Sequence, residues 1–185
     1  MRERFEVVHE HAVEGLYHRS LAGKLTPALK RRLREAGLDL DEKLKPSYPK
    51  QAWRQFLNIT VEELFPGLPR EQAAWKLGQA LSEGYVQTWL GKTAISVAKM
   101  LGPKRTLARF TDKIRTLNTF TETRLTEVGP TEFDLWVSEH YGLPHYVAGG
   151  LDVVLRHVGA KDVQVTVAQV EGTAATYRIR WSSVR

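Results

Sequence analysis

Gly91-Lys92-Thr93, inside "GYVQTWLGKTAIS" (residues 84–96), has the form of the last residues of a phosphate-binding loop. Such a loop needs an earlier glycine, at position 86 here, so that successive backbone N–H groups can converge on the phosphates. That position holds Val86, Gly84 comes too early, and Tyr85, Trp89 and Leu90 are bulky where the backbone would have to wrap an anion. The match therefore fails, and Lys92 reads as a cation on a helix surface.

Histidine is the remaining source of neutral metal ligands, because the chain has no cysteine. His9 and His11 would share one side of a strand, with His18 nearby. Glu10 and Glu14, however, give that stretch the character of polar surface, so no metal site is expected. His140, His145 and His157 fall in a loop and in two places on a helix. The chain contains no HExxH, no dinucleotide fingerprint and no Ser/His/Asp arrangement, and its paired carboxylates look like ordinary charged surface. The expectation is a protein that is not an enzyme and carries no cofactor.

Aromatic and amide side chains are the better candidates. Tyr85, Trp89 and Lys92 stand at i, i+4 and i+7, one stripe of a helix. Arg115, Thr116 and Asn118 occupy a helix-to-strand junction, where both element ends leave backbone groups free and polar side chains can converge. Tyr85, Trp89, Arg115 and Asn118 are the expected pocket or rim residues. A second candidate surface is basic: from Lys92 to Asn118 the only acid is Asp112, and Lys104, Arg105, Arg109 and Lys113 could dock an acidic partner. Interleaved acids elsewhere disfavour nucleic acid as that partner.

The elements that must carry these residues change period near residue 118. Phe5 to Leu21 reads equally as a strand with a turn or as a short helix. "LTPALKRRLREAG" is a helix with Thr26 as N-cap, Pro27 at its first position and Gly37 at its end. "LKPSYP" is an extended connector, and "PKQAWRQFLNITVEELFPG" is an amphipathic helix. One helical pattern runs from Pro69 to Leu101. In it Gly78, Gly84 and Gly91 each cost about 1 kcal/mol against alanine, which implies a close neighbour or a break near Gly91. "GPKRTLARFTDKIRTLN" makes a further helix with Leu107, Phe110, Ile114 and Leu117 inward. Hairpins turning at Gly129-Pro130-Thr131 and Glu171-Gly172-Thr173 flank a helix closed by Gly159. The fold class is α+β: a helical half (1–117) packed on an antiparallel four-stranded sheet of two hairpins joined by a helix (118–185), all one domain.

The 185 residues are enough for a substantial core without disulfides or metal staples. There is no apolar run long enough to span a membrane and no secretory h-region, which makes the cytoplasm the expected address. The net charge of +6 is concentrated in the basic stretch.

The segment "GLPHYVAGGLDVVLRHVGAKDVQVTVAQVEGTAATYRIRW" contains an H-[FY]-x-A-G helix start, an amphipathic helix closing at glycine and a final hairpin. It resembles the 4-vinyl-reductase-type small-ligand domain, whose fold is shared with haem-nitric-oxide-binding domains and small subunits of the TRAPP tethering complex. "LTPALKRRLREAGLDL", "PSYP", "ELFPGLPREQAAWKLGQALSEGY" and "LGPKRTLARFTDKIRTLNTFTE" resemble, over nearly the whole chain, an uncharacterised family found chiefly in myxobacteria. Two departures stand out. Vinyl-reductase-type domains often carry cysteines around the final hairpin, where this chain has Val167, Ala168 and Ala174, so thiolate metal binding is excluded. Haem sensors use a proximal histidine and a Y-x-S-x-R motif, whereas "YRIRW" has Ile179 in place of the serine. The resemblance implies a sensor or regulatory domain that binds a small apolar or amphipathic ligand and signals through a dimer or partner surface. The alternative is an interaction scaffold that docks through the basic helix 104–115.

Overall fold

The structure is a computed structural model that describes residues 5–184; residues 1–4 and Arg185, the ends of the expected domain, lie outside it. The ambiguous opening contains both alternatives in turn. Strand β1 (Val7–His9) runs into α1 (Glu10–Val13), which continues as a π-helical segment, Glu14–Ser20. A short 3-10 turn, Ala22–Lys24, leads to α2 (Pro27–Glu35), where Thr26 Oγ1 accepts from Leu29 N at 3.1 Å and Pro27 opens the first turn. The expected extended connector is a strand, β2 (Ser47–Pro49), paired antiparallel with β1. Helix α3 (Lys50–Leu64) then buries Trp53, Phe56, Leu57 and Val61 on one face.

The helical pattern from Pro69 to Leu101 is two helices. Helix α4 (Arg70–Gln87) ends at Thr88, whose backbone is extended and whose Oγ1 accepts from Gly91 N at 3.0 Å, starting α5 (Trp89–Ala108). A hydroxyl that satisfies a first-turn N–H makes Thr88 a helix start inside an otherwise helical stretch. The basic segment also departs from expectation. Helix α5 passes Gly102 (φ +75°) with a kink and stops at Arg109, and α6 is only Phe110–Ile114. The basic side chains of 104–115 therefore sit on two helices rather than one continuous face.

The C-terminal half folds as expected. Strands β3 (Thr123–Gly129) and β4 (Glu132–Val137) form the first hairpin, and α7 (Pro144–His157) crosses the sheet. The short β5 (Ala160–Lys161) follows, then the second hairpin, β6 (Gln164–Glu171) and β7 (Ala174–Arg180), and β8 (Ser183–Val184), which pairs with β5. Sheet order is β3-β4-β7-β6, all antiparallel. Phe133, Leu135 and Val137 alternate inward on β4, as do Ala175, Tyr177 and Ile179 on β7, and α7 covers them with Ala148, Leu151 and Leu155. The opposite face is solvated: Arg178 bridges Asp134 and Glu132, and Arg124 lies over the Trp136 ring at 4.6 Å.

Helix α4 joins the two halves by backbone contact with α7. A Cβ built on Gly78 would stand 1.8 Å from Tyr146 O, and one on Gly149 would stand 2.1 Å from Trp75 O. The approach is reciprocal, each helix offering a glycine to the other's backbone. Gly84 meets the carbonyl of Gly15 in the π-helical segment in the same way, at 1.7 Å. Close packing thus accounts for Gly78 and Gly84, and at Gly91, just past the helix break, both expectations hold, since a Cβ there would stand 1.8 Å from Tyr85 O.

Candidate functional site

Between α4, α5, α6 and α7 lies a cavity of about 130 Å³ with a largely apolar wall. Helix α4 contributes Gly78, Leu81, Ser82 and Tyr85; α5 contributes Gly91, Ala94, Ile95 and Ala98; α6 contributes Phe110, Lys113 and Ile114; α7 contributes Tyr146, Val147 and Gly150. A second depression, about 570 Å³, is bounded mostly by exposed or half-buried side chains such as Arg70, Glu71, His145 and Val170, and has no comparable enclosure.

The cavity has one polar, buried end. Asn118 is 2% exposed; its Oδ1 accepts from Phe120 N (3.1 Å) and Thr121 N (2.8 Å), and its Nδ2 donates to the Tyr141 hydroxyl at 3.2 Å. Those bonds turn the chain from α6 toward β3 and fix the amide orientation. Glu139 is also buried. Its carboxylate accepts from Tyr141 N at 2.7 Å and lies 3.5 Å from Lys50 Nζ, which reaches Glu6 at 2.5 Å. Burial works against the Lys50 charge, but Glu6 and Glu139 outweigh it and hold the ammonium above its ordinary pKa. Burial pushes the Tyr141 and Tyr146 phenols far above their ordinary range, and their rings meet edge to face at 6.0 Å. The Thr121 hydroxyl, buried beside Tyr141, makes no hydrogen bond of good geometry.

Of the four residues expected at a pocket, two line this cavity. Tyr85 does so from the end of α4, with its hydroxyl 2.7 Å from Thr116 Oγ1 and its phenol raised by burial; Asn118 does so from the junction. Trp89 does not. The break at Thr88 takes it out of the Tyr85 stripe and leaves it 82% exposed. Arg115 also points away, with its guanidinium 3.7 Å from exposed Glu122.

Among the residues expected to meet a partner, Lys104 bonds Glu127 at 2.7 Å and lies over the Phe133 ring, and Lys113 turns into the cavity wall. Arg105 and Arg109 remain exposed. Sequence reasoning missed Glu139, Tyr141, Tyr146, Trp53 and Lys50. Their signal was faint: Tyr141 has φ +58° just before Gly142, a local irregularity between strand and helix that no periodicity announces.

The histidines take structural places. His140 Nδ1 accepts from Gly142 N and its Nε2 meets Gly172 O, both at 3.0 Å, tying the β6–β7 turn to the loop before α7. His145 and His157 face Glu71 and Glu83. Among the described residues no group of three or more His, Asp or Glu could hold a metal ion, and no helix is long and apolar enough to cross a membrane. The strand "YRIRW" lies in the sheet core, with the Tyr177 hydroxyl donating to Pro144 O at 3.1 Å. The part of the C-terminal half that reaches the cavity is instead the Glu139–Tyr141 loop and α7.

Solved structures share this fold. An H-NOX protein from S. oneidensis in the Fe(II)NO ligation state is 13% identical over 95% of this chain and 99% of that one, with TM-score 0.71. An unliganded Fe(II) H-NOX protein from K. algicida is 10% identical over 95% and 97%, with TM-score 0.66. An oxygen-binding H-NOX domain related to soluble guanylate cyclases is 10% identical over 95% and 93%, with TM-score 0.66. At such identities the likeness is one of fold, and it bears out the haem-nitric-oxide-binding side of the sequence resemblance. No curated protein matches. The model of a family described as "Protein of unknown function (DUF2378)" matches residues 6–182, so the chain belongs to that family.

Proposed function

We propose that this protein is a non-enzymatic, cytoplasmic sensor or regulatory domain, acting as one unit, that takes a small ligand into the cavity beneath α5 and relays occupancy to a dimer or partner surface. The observation that carries the reading is the double role of α5. Its inner face supplies Gly91, Ala94, Ile95 and Ala98 to the cavity, while its outer face leaves Trp89 82%, Val97 46% and Met100 86% exposed. A ligand shifts an equilibrium only by contacting its two states differently. Here the helix that touches the ligand is also the one that presents an apolar surface.

The related structures contain iron, and haem iron is held in proteins by histidine, cysteinate, methionine or tyrosinate. Among the described residues no histidine lines this cavity, and neither does Met100. The tyrosines that do are kept protonated by burial. The residues do not fit a haem.

The scaffold reading draws support from the outer face of α5, where exposed Lys92 and Lys99 flank the apolar stripe, more than from residues 104–115. It differs in needing no occupant. Mass spectrometry of freshly purified protein under native and then denaturing conditions separates the two. The sensor reading expects a small mass that is present in the first and released in the second, and lost in Ala98→Leu, which fills the cavity from α5. A clean apo protein that recruits a partner through Trp89 and Met100 would overturn the sensor reading in favour of the scaffold.

A further inference from the structure

We propose that the occupant is a neutral molecule about the size of one substituted ring, bearing a single hydroxyl or carbonyl that seats against Tyr141 at the buried polar end. This rests on the sensor reading and specifies its ligand class.

Size is the first argument. A cavity of about 130 Å³ is close to an engineered apolar cavity of about 150 Å³ that takes benzene, and lies below the roughly 300–1,000 Å³ of sites for drug-sized ligands. A porphyrin, four such rings in one plane, is several times too large. The cavity cannot enlarge through its α4–α7 wall, because Gly78 already meets the α7 backbone there.

Charge is the second. At the polar end Glu139 lines the cavity and is already paired at 3.5 Å with Lys50, which does not, so an anionic head would meet a carboxylate there and a cationic head would compete with the ammonium for it, each desolvated on entry. A neutral head avoids both costs.

Hydrogen bonding is the third. The Asn118 oxygen is committed to two backbone N–H groups, and its nitrogen gives one proton to Tyr141 and keeps a second. Tyr141 thus already accepts and keeps one proton to donate. The neighbouring acceptor for that proton, Thr121 Oγ1, is buried and forms no bond of good geometry. Because a hydroxyl rotor turns to suit its partner, Tyr141 can direct the proton to an entering oxygen. A hydroxylated ring can in turn donate to the Glu139 carboxylate.

The test is isothermal titration of the whole chain with p-cresol, toluene, benzoate and hemin. Saturable p-cresol binding is expected, with toluene about tenfold weaker for want of one buried hydrogen bond. Tyr141→Phe brings p-cresol down to the toluene level and leaves toluene unchanged, a difference that misfolding would not produce. Ala98→Leu abolishes both. Equal affinity for toluene and p-cresol, displacement of p-cresol by benzoate at Lys113, tight hemin binding, or binding that survives Ala98→Leu each overturns the proposal. If no probe binds but the native protein releases a mass of another class, this proposal falls and the sensor reading stands. If no probe binds and no mass is released, both fall.

Discussion

The α4–α7 contact and the α5 layer are built from the same alphabet of small residues and behave in opposite ways. Between α4 and α7, Gly78 and Gly149 bring backbone against backbone with no side chain interposed. Across the cavity, past a single close contact of Gly91 with the Tyr85 carbonyl, Ala94, Ile95 and Ala98 of α5 border open volume, while Trp89 and Met100 on the outside have no neighbour to cover them. Small residues set an approach distance only where the opposing element closes up. The lesson is a rigid floor under a loosely held cover, with the cavity as the difference between them.

The largest effect should come from the floor. Gly78→Ala places a methyl within 1.8 Å of Tyr146 O, where only backbone movement could relieve it, so unfolding in urea should register a loss of about 3 kcal/mol. A fall below about 1 kcal/mol would mean that the floor yields and that the contrast is wrong.

Alkali tests the same half. Burial raises Tyr17, Tyr141, Tyr146 and Tyr177 above the ordinary phenol value. Above about pH 10 the unfolded chain therefore binds fewer protons than the folded one. The stability these phenols contribute is full below pH 10 and falls as pH rises from there. Each loses about 1.4 kcal/mol per pH unit until its folded phenol ionises. The unfolding free energy of Tyr177→Phe, measured in urea, should fall with pH by about that much less per unit.

Smaller effects belong to the cover. Gly102→Ala, at φ +75° and ψ 175° with open space around it, should cost about 2 kcal/mol through backbone strain alone. Trp89→Ser should move monomer stability by less than about 0.5 kcal/mol. Amide exchange should rank the two regions directly: α5 amides between Trp89 and Leu101 should open more readily than those of α4 and α7, and ligand should slow them selectively. Equal protection would erase the distinction.

Most of the C-terminal fold was legible because strand alternation and turn chemistry agree there. Phe133, Leu135 and Val137 point inward as their spacing says, and Gly172 (φ +61°) turns the second hairpin. The helical half was legible in its caps, and a break near Gly91 stood as one of two readings, but its place was not legible. Thr88 is a helix start that reads as a helix interior, and a stripe drawn across it joined Tyr85 to Trp89 falsely. Half of the site was visible as an element junction, which is how Asn118 stood out. The other half, Glu139 and Tyr141 on a loop after β4, arrives by tertiary folding across more than twenty residues of chain, and spacing along a sequence carries no such signal.

The reciprocal glycines also bear on how a cavity of this kind can change over generations. Gly78 and Gly150 belong to its wall as well as to the α4–α7 seam, so that wall has the least room for larger residues. Shape can drift more freely from the other side, one side chain at a time, through Ala94, Ile95, Ala98 and Phe110. Members of this lineage that recognise different molecules should therefore differ in α5 and α6 while keeping the seam, and a library aimed at new recognition belongs at those four positions.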